Sequence, residues 1–146
     1  MSTYSVVLAV HIIAAFAAYG LPAAYPLILP YLKTHHPDAL PGVHAIQYRL
    51  NLGLTGPFTI LLFAAGVYLA TTHHRWGETF TTVGLIAIAI IAVLGGAIIV
   101  PSTKRLATLT PNTPDYDAVY RRYLTAEIIL AAVVILTIFA MAAKPL

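Results

Sequence analysis

Two side chains in this sequence carry chemistry into places that penalise it. His11 stands inside the apolar run Val6–Leu32, and Glu127 inside the run Tyr123–Ala143. A charged acid in hydrocarbon costs roughly 2.5–3.5 kcal/mol on insertion scales. An ionisable group kept there is therefore a functional lead. An imidazole at His11 offers a neutral nitrogen that can accept a hydrogen bond from a neighbouring helix or ligate a metal, haem iron included. A carboxyl at Glu127 can form an ion pair or carry a proton.

Each lead has a plain structural alternative. His11 lies about seven residues inside its boundary, roughly 10 Å at 1.5 Å per residue. Thr137 sits at a comparable depth on the last run and Tyr68 somewhat shallower, so either is a candidate hydrogen-bond partner. As an axial ligand, His11 would have Met141 as a possible companion, or would hold a five-coordinate iron alone. Glu127 lies about five residues in from the other boundary, roughly 7.5 Å. Arg49, at the end of the second run, has the reach to pair with it. The buried polar set expected from sequence is thus Glu127, Arg49, Tyr19 and Thr137, with His11 as the candidate cofactor ligand. No dedicated metal site is expected. His35, His36, Asp38 and His44 match no tight ligand spacing and read as a solvated loop. His73, His74, Arg75 and Trp76 read as an interfacial cap with an aromatic anchor.

The elements that hold these residues follow from composition. Of 146 residues, 60% are apolar and 9% charged, against about 25% charged in a soluble domain. Too few charges are present to cover a water-facing surface. Four apolar segments are long enough to cross a bilayer: Val6–Leu32, Leu50–Ala70, Thr79–Val100 and Tyr123–Ala143. Backbone groups in lipid must be satisfied internally, so these spans are helices. With flanks they extend over about 5–32, 47–71, 79–100 and 119–143. The expectation is one all-α transmembrane domain over 1–146, an antiparallel bundle of four transmembrane helices. The N-terminus has no basic region before its apolar stretch, so it does not read as a cleaved signal.

The connections set orientation. Lys33, Arg49, Lys104, Arg105, Arg121 and Arg122 flank the first and third, while Arg75 and Lys144 lie on the other side. Basic residues favour the cytoplasm, which places both termini outside. Small residues at helical spacing mark faces for close packing: Ala15, Ala18 and Pro22; Gly53 and Gly56; Ala89, Ala92 and Gly96. Prolines at 22, 26, 30 and 57 kink their helices and free carbonyls that could line a cavity.

Several function classes are excluded or weakened. Without cysteine there is no disulfide, thiolate metal site or iron–sulfur cluster. The basic residues form no stripe, so nucleic acid is not an expected partner. No nucleophile–base pair and no phosphate loop is present, which disfavours a hydrolase or nucleotide-driven enzyme. Whether the chain is an enzyme at all stays open.

The layout Val10-His11-Ile12-Ile13-Ala14-Ala15, then Gly20, Arg49, Gly95-Gly96 with Pro101, Tyr120-Arg121-Arg122-Tyr123 and the ending Lys144-Pro145 resembles a bacterial family of integral membrane proteins of unknown function. More distantly it is similar to the HemJ-type protoporphyrinogen oxidases and the CopD-type membrane proteins. The HemJ likeness implies a haem b with His11 as axial ligand, oxidation of a porphyrin precursor, and electrons passed to quinone. The family likeness also implies the bacterial cytoplasmic membrane. Three expectations stand together: a haem or redox protein at His11; an accessory or assembly subunit with a membrane-protein partner or a second copy; and a proton or solute pathway using Glu127 and Arg49.

Overall fold

The computed structural model describes residues 2–143, and every regular element among them is helical. Helix α1 (Thr3–Tyr19) starts at Ser2, whose hydroxyl accepts from the Ser5 amide at 3.2 Å. It ends in a break. The Gly20 amide still bonds the Phe16 carbonyl at 2.8 Å, but Pro22 has no N–H to continue the ladder. A short turn, Pro22–Ala24, leads into α2 (Tyr25–His35), and the two parts meet at 41°. Helix α2 stops at His36, which is forced off helical geometry by the ring of Pro37.

Two longer helices are each continuous but widened in the middle. Helix α3 (Leu40–Leu50) passes through a π-helical stretch, Asn51–Thr55, into α4 (Gly56–Thr72). Helix α5 (Thr79–Val93) passes through another, Leu94–Ile99, into α6 (Val100–Leu106). Each widening precedes a proline, Pro57 or Pro101. A proline ring crowds the carbonyl four residues back and cannot bond it, and a looser turn relieves that clash. Helix α7 (Pro114–Ala143) begins with Pro114 and carries Asp115 and Asp117 in its first turn, where acidic charge suits the helix dipole.

Pro37–Thr72, Thr79–Leu106 and Pro114–Ala143 are long and apolar enough to cross a membrane, and the bent pair Thr3–Tyr19 and Pro22–His35 makes a fourth span if counted as one. This is the make-up of a multi-pass membrane protein. Its surface agrees. Phe16 is 79% exposed and Leu27 80% exposed, which lipid tolerates and water does not.

The helices run further than the sequence suggested. The first connection, expected over Lys33–His44, is taken up by the end of α2 and the start of α3. In the third, read from sequence as Pro101–Arg122 with Asp115–Tyr123 extending the fourth helix from near Pro114, that extension is present, and helix α6 takes up the other end, leaving residues 107–113. Helix α1 packs along α4, α5 along α7 and α3 against α6, while the Pro22–Ala24 turn lies on α7. Ala18 and Pro22 are buried as expected packing residues, but Ala89, Ala92 and Gly96 are exposed and face away from the bundle. Lys144 and Pro145 lie outside the described residues.

Candidate functional site

Two polar regions emerge, one toward each end of the helices. The first surrounds His11. On α1 the imidazole faces α4, and its Nδ1 lies 3.0 Å from the Leu62 carbonyl oxygen. A carbonyl only accepts, so Nδ1 carries the proton and donates. In the neutral ring Nε2 is then left with its lone pair free. Gly66 makes room for the ring: a Cβ there would stand 3.1 Å from His11 Cε1.

His11 lines a cavity of about 270 Å³ between α1, α4, α5 and α7. Most of its wall is apolar, with Leu8, Leu62, Ile88, Ile91 and Val134 prominent. Thr137 lines it too, but its hydroxyl donates to the Val133 carbonyl on its own helix at 2.7 Å. Tyr19 closes another side. The Thr59 hydroxyl donates to the Thr55 carbonyl at 2.7 Å, so the Tyr19 hydroxyl, 2.6 Å from Thr59 Oγ1, must be the donor in that pair. Arg75, Trp76 and Met141 stand on the same cavity. Neither Thr137 nor Tyr68 is the partner of His11; the backbone of α4 is.

The second region was largely missed from sequence. His44, expected in a solvated loop, is inside α3 and 0% exposed. Its Nδ1 stands 2.8 Å from Gln47 Oε1 and its Nε2 stands 2.9 Å from the Tyr116 hydroxyl. With the amide oxygen as acceptor, Nδ1 donates to Gln47, and in the neutral ring Tyr116 donates to Nε2. Tyr123 sets its ring edge-on to His44 with centroids 5.8 Å apart. Its hydroxyl faces Gln47 and Glu127 without completing a hydrogen bond to either. Glu127 is 1% exposed, and its Oε2 has no partner.

The expected Glu127–Arg49 pair does not form. Arg49 is exposed on α3, so it is not part of the buried set. Helical phase explains this: Gln47 is two residues from Arg49, which puts them on different sides of α3, and it is the Gln47 side that faces α7. Among the described residues the ion pair present is Lys33–Asp117 at 2.7 Å, joining α2 to α7, with Lys33 also 4.9 Å from the Tyr120 ring centroid. The signal for this cluster was in the spacing. Tyr116, Tyr120, Tyr123 and Glu127 recur every three or four residues on one face of α7, and His44, Gln47 and Asn51 do so along the helix opposite.

No group of three or more candidate metal ligands occurs among the described residues. A haem asks for less, one or two axial ligands. His11, with Nδ1 anchored and Nε2 free, has the donor chemistry for that role. No protein-family model, curated protein or solved structure matches this chain, so the chemistry of the site rests on its geometry.

Proposed function

We propose that this protein is a four-span antiparallel helical bundle of the bacterial cytoplasmic membrane that binds a hydrophobic redox cofactor, haem b, with His11 as the axial ligand. The observation that carries this reading is the His11 Nδ1 to Leu62 contact at 3.0 Å. It fixes the tautomer that ligation requires, and it does so inside an apolar cavity. Arg75 and Trp76 at that cavity suit the carboxylate groups of the macrocycle. His11 would hold the haem iron, and the apolar wall of the cavity of about 270 Å³ would hold part of the macrocycle. Haem b would supply one-electron redox chemistry.

The antiparallel arrangement is supported by what meets at each end. Tyr4, Arg75 and Met141 line one cavity, and Lys33 and Asp117 pair at the opposite end. That second end also holds Arg49, Lys104, Arg105, Arg121 and Arg122, so it is assigned to the cytoplasm and both termini to the outside.

The test is an absorption spectrum of protein purified in mild detergent, as isolated and after dithionite. A Soret band with sharpened bands on reduction, absent from His11→Ala, is the expected result. A featureless spectrum from cells with ample haem supply removes the reading.

A second reading rests on the outward face of Ala89, Ala92 and Gly96. Small residues on a lipid-facing helix permit close approach of another helix, which suits an accessory subunit or a second copy. Co-purification of a defined membrane partner, or a dimer that Gly96→Leu dissociates, would support it. A monodisperse monomer with its own cofactor would remove it.

A further inference from the structure

We infer that Glu127, Tyr123 and Gln47 form a reversible proton-binding site inside the membrane, positioned by His44 and separate from the His11 cavity. The inference starts from atoms whose bonding is incomplete. Glu127 Oε2, the Tyr123 hydroxyl and Gln47 Nε2 are all buried, and none has a hydrogen-bond partner among the described residues. They are an acceptor, a hydroxyl and a donor. Such a set serves a carboxyl in both of its states. When Glu127 releases its proton, the Tyr123 O–H is the donor that stabilises the carboxylate, and the Gln47 N–H faces the Tyr123 oxygen and keeps that O–H free for the acid. When Glu127 holds the proton, its own O–H becomes a donor and the Tyr123 oxygen an available acceptor.

Other charges do not occupy this carboxyl. The groups facing it are Tyr123 on its own helix and Tyr25 from α2, while Gln47 and His44 of α3 stand against Tyr123. Helix α5 and the Leu94–Ile99 stretch, which pack on α7, carry no ionisable side chain. Arg49 is exposed, Arg105 and Arg122 line a different groove between α6 and α7, and Lys33 is held by Asp117. The site is therefore built of hydroxyl and amide groups around one acid, which is suited to a proton rather than to an ion pair.

His44 is a positioning residue. Its Nδ1–H holds Gln47 Oε1 at 2.8 Å, which leaves the other end of the carboxamide, Nε2, for Tyr123. Tyr116 in turn holds His44 Nε2 at 2.9 Å. The broken span adds a second observation. The Pro22–Ala24 turn packs on α7, and Tyr25, the next residue, lies within electrostatic reach of Glu127. In membrane carriers, discontinuous helices typically form the sites that bind coupling ions, protons included.

The chain suits a direct test, because Glu78 and Glu127 are its only glutamates. Protein grown with carboxyl-13C glutamate and placed in lipid nanodiscs gives two carboxyl resonances, and Glu127→Gln assigns them. Glu78, exposed between α4 and α5, is the internal reference. The expected result is a Glu127 resonance that moves reversibly with pH while circular dichroism shows the helices intact. Tyr123→Phe removes the donor to the carboxylate and Gln47→Leu removes the group that orients that donor, so each moves the midpoint to higher pH. His44→Ala moves it the same way by releasing Gln47. His11→Ala leaves it in place, which separates this site from the cofactor reading. A Glu127 resonance that stays fixed wherever the protein remains folded would overturn the inference, and so would a midpoint indifferent to both Tyr123→Phe and Gln47→Leu.

Discussion

His11 and Leu62 are joined across two helices by one hydrogen bond, Nδ1 to carbonyl oxygen at 3.0 Å. The bond uses Nδ1 and leaves the Nε2 lone pair free. It makes the imidazole part of the α1–α4 contact as well as a candidate ligand, and the two roles are separable by measurement. Interhelical hydrogen bonds in membrane proteins average about 0.6 kcal/mol. Substituting His11→Leu keeps an apolar side chain of similar bulk in the contact. The expected outcome is a stability loss of about that size, read from unfolding in mixed micelles, together with complete loss of bound haem absorbance. A loss of several kcal/mol with haem retained would assign the residue to structure alone.

Gly66 gives a way to disturb the ligand without removing it. A Cβ there meets His11 Cε1 at 3.1 Å. Gly66→Ala asks the ring to give by a few tenths of an ångström, and the imidazole has room to do so along its cavity face. Gly66→Val drives a branched side chain into the ring and must displace it. Haem occupancy, measured as Soret absorbance per protein, is expected to fall modestly in the first variant and to collapse in the second. The circular dichroism of both should stay helical.

The sequence was most legible where lipid makes the rule. Apolar runs long enough to span, with no alternative to helix in hydrocarbon, fall on the three long apolar helices Pro37–Thr72, Thr79–Leu106 and Pro114–Ala143 and on the bent pair that makes a fourth span if counted as one. The buried acid was legible for the same reason, since Glu127 stood out against its surroundings. His44 was not, because the stretch Lys33–His44 contains Pro37, Pro41 and Gly42 and looks like a loop. Here the prolines sit at or near helix starts, where a missing N–H costs nothing. The Arg49 assignment failed on helical phase: reach alone did not decide which side of α3 would face α7. The π-helical stretch Asn51–Thr55 was legible only as a kink at Pro57, since a kink and a widened turn answer the same clash, and Leu94–Ile99 was not legible, because Pro101 read as the start of a connection.

His44 and Tyr116 are expected to be coupled energetically. Tyr116→Phe removes the hydroxyl that reaches His44 Nε2 and leaves that buried nitrogen unpaired, at a cost of about 1–3 kcal/mol. His44→Leu removes the ring and leaves the Tyr116 hydroxyl and Gln47 Oε1 without it. In the double variant the first of those penalties is not paid twice, so its loss should fall short of the sum of the singles by an amount between about 0.5 and 3 kcal/mol. Additive losses in unfolding experiments would mean that the two side chains do not interact as the 2.9 Å distance indicates.

Gly20 and Gly84 look alike in sequence, each in an apolar run, yet alanine should act oppositely at the two. A Cβ at Gly20 would stand 2.8 Å from the Phe16 carbonyl oxygen, which is backbone and is already bonded to the Gly20 amide. Only a shift of the chain at the α1–α2 break relieves that contact, and overpacking of this kind costs about 1–3 kcal/mol. A Cβ at Gly84 would stand 2.7 Å from the terminal methyl of Met141. An unbranched thioether side chain swings away with little strain, and replacing glycine by alanine inside a helix favours the helix by about 1 kcal/mol. Gly20→Ala is therefore expected to lower the unfolding free energy and to change the angle between α1 and α2, measurable as a distance between spin labels placed near Ser5 and Thr34. Gly84→Ala should be neutral to stabilising. A tolerated Gly20→Ala with an unchanged label distance would show that the break is set by Pro22 alone.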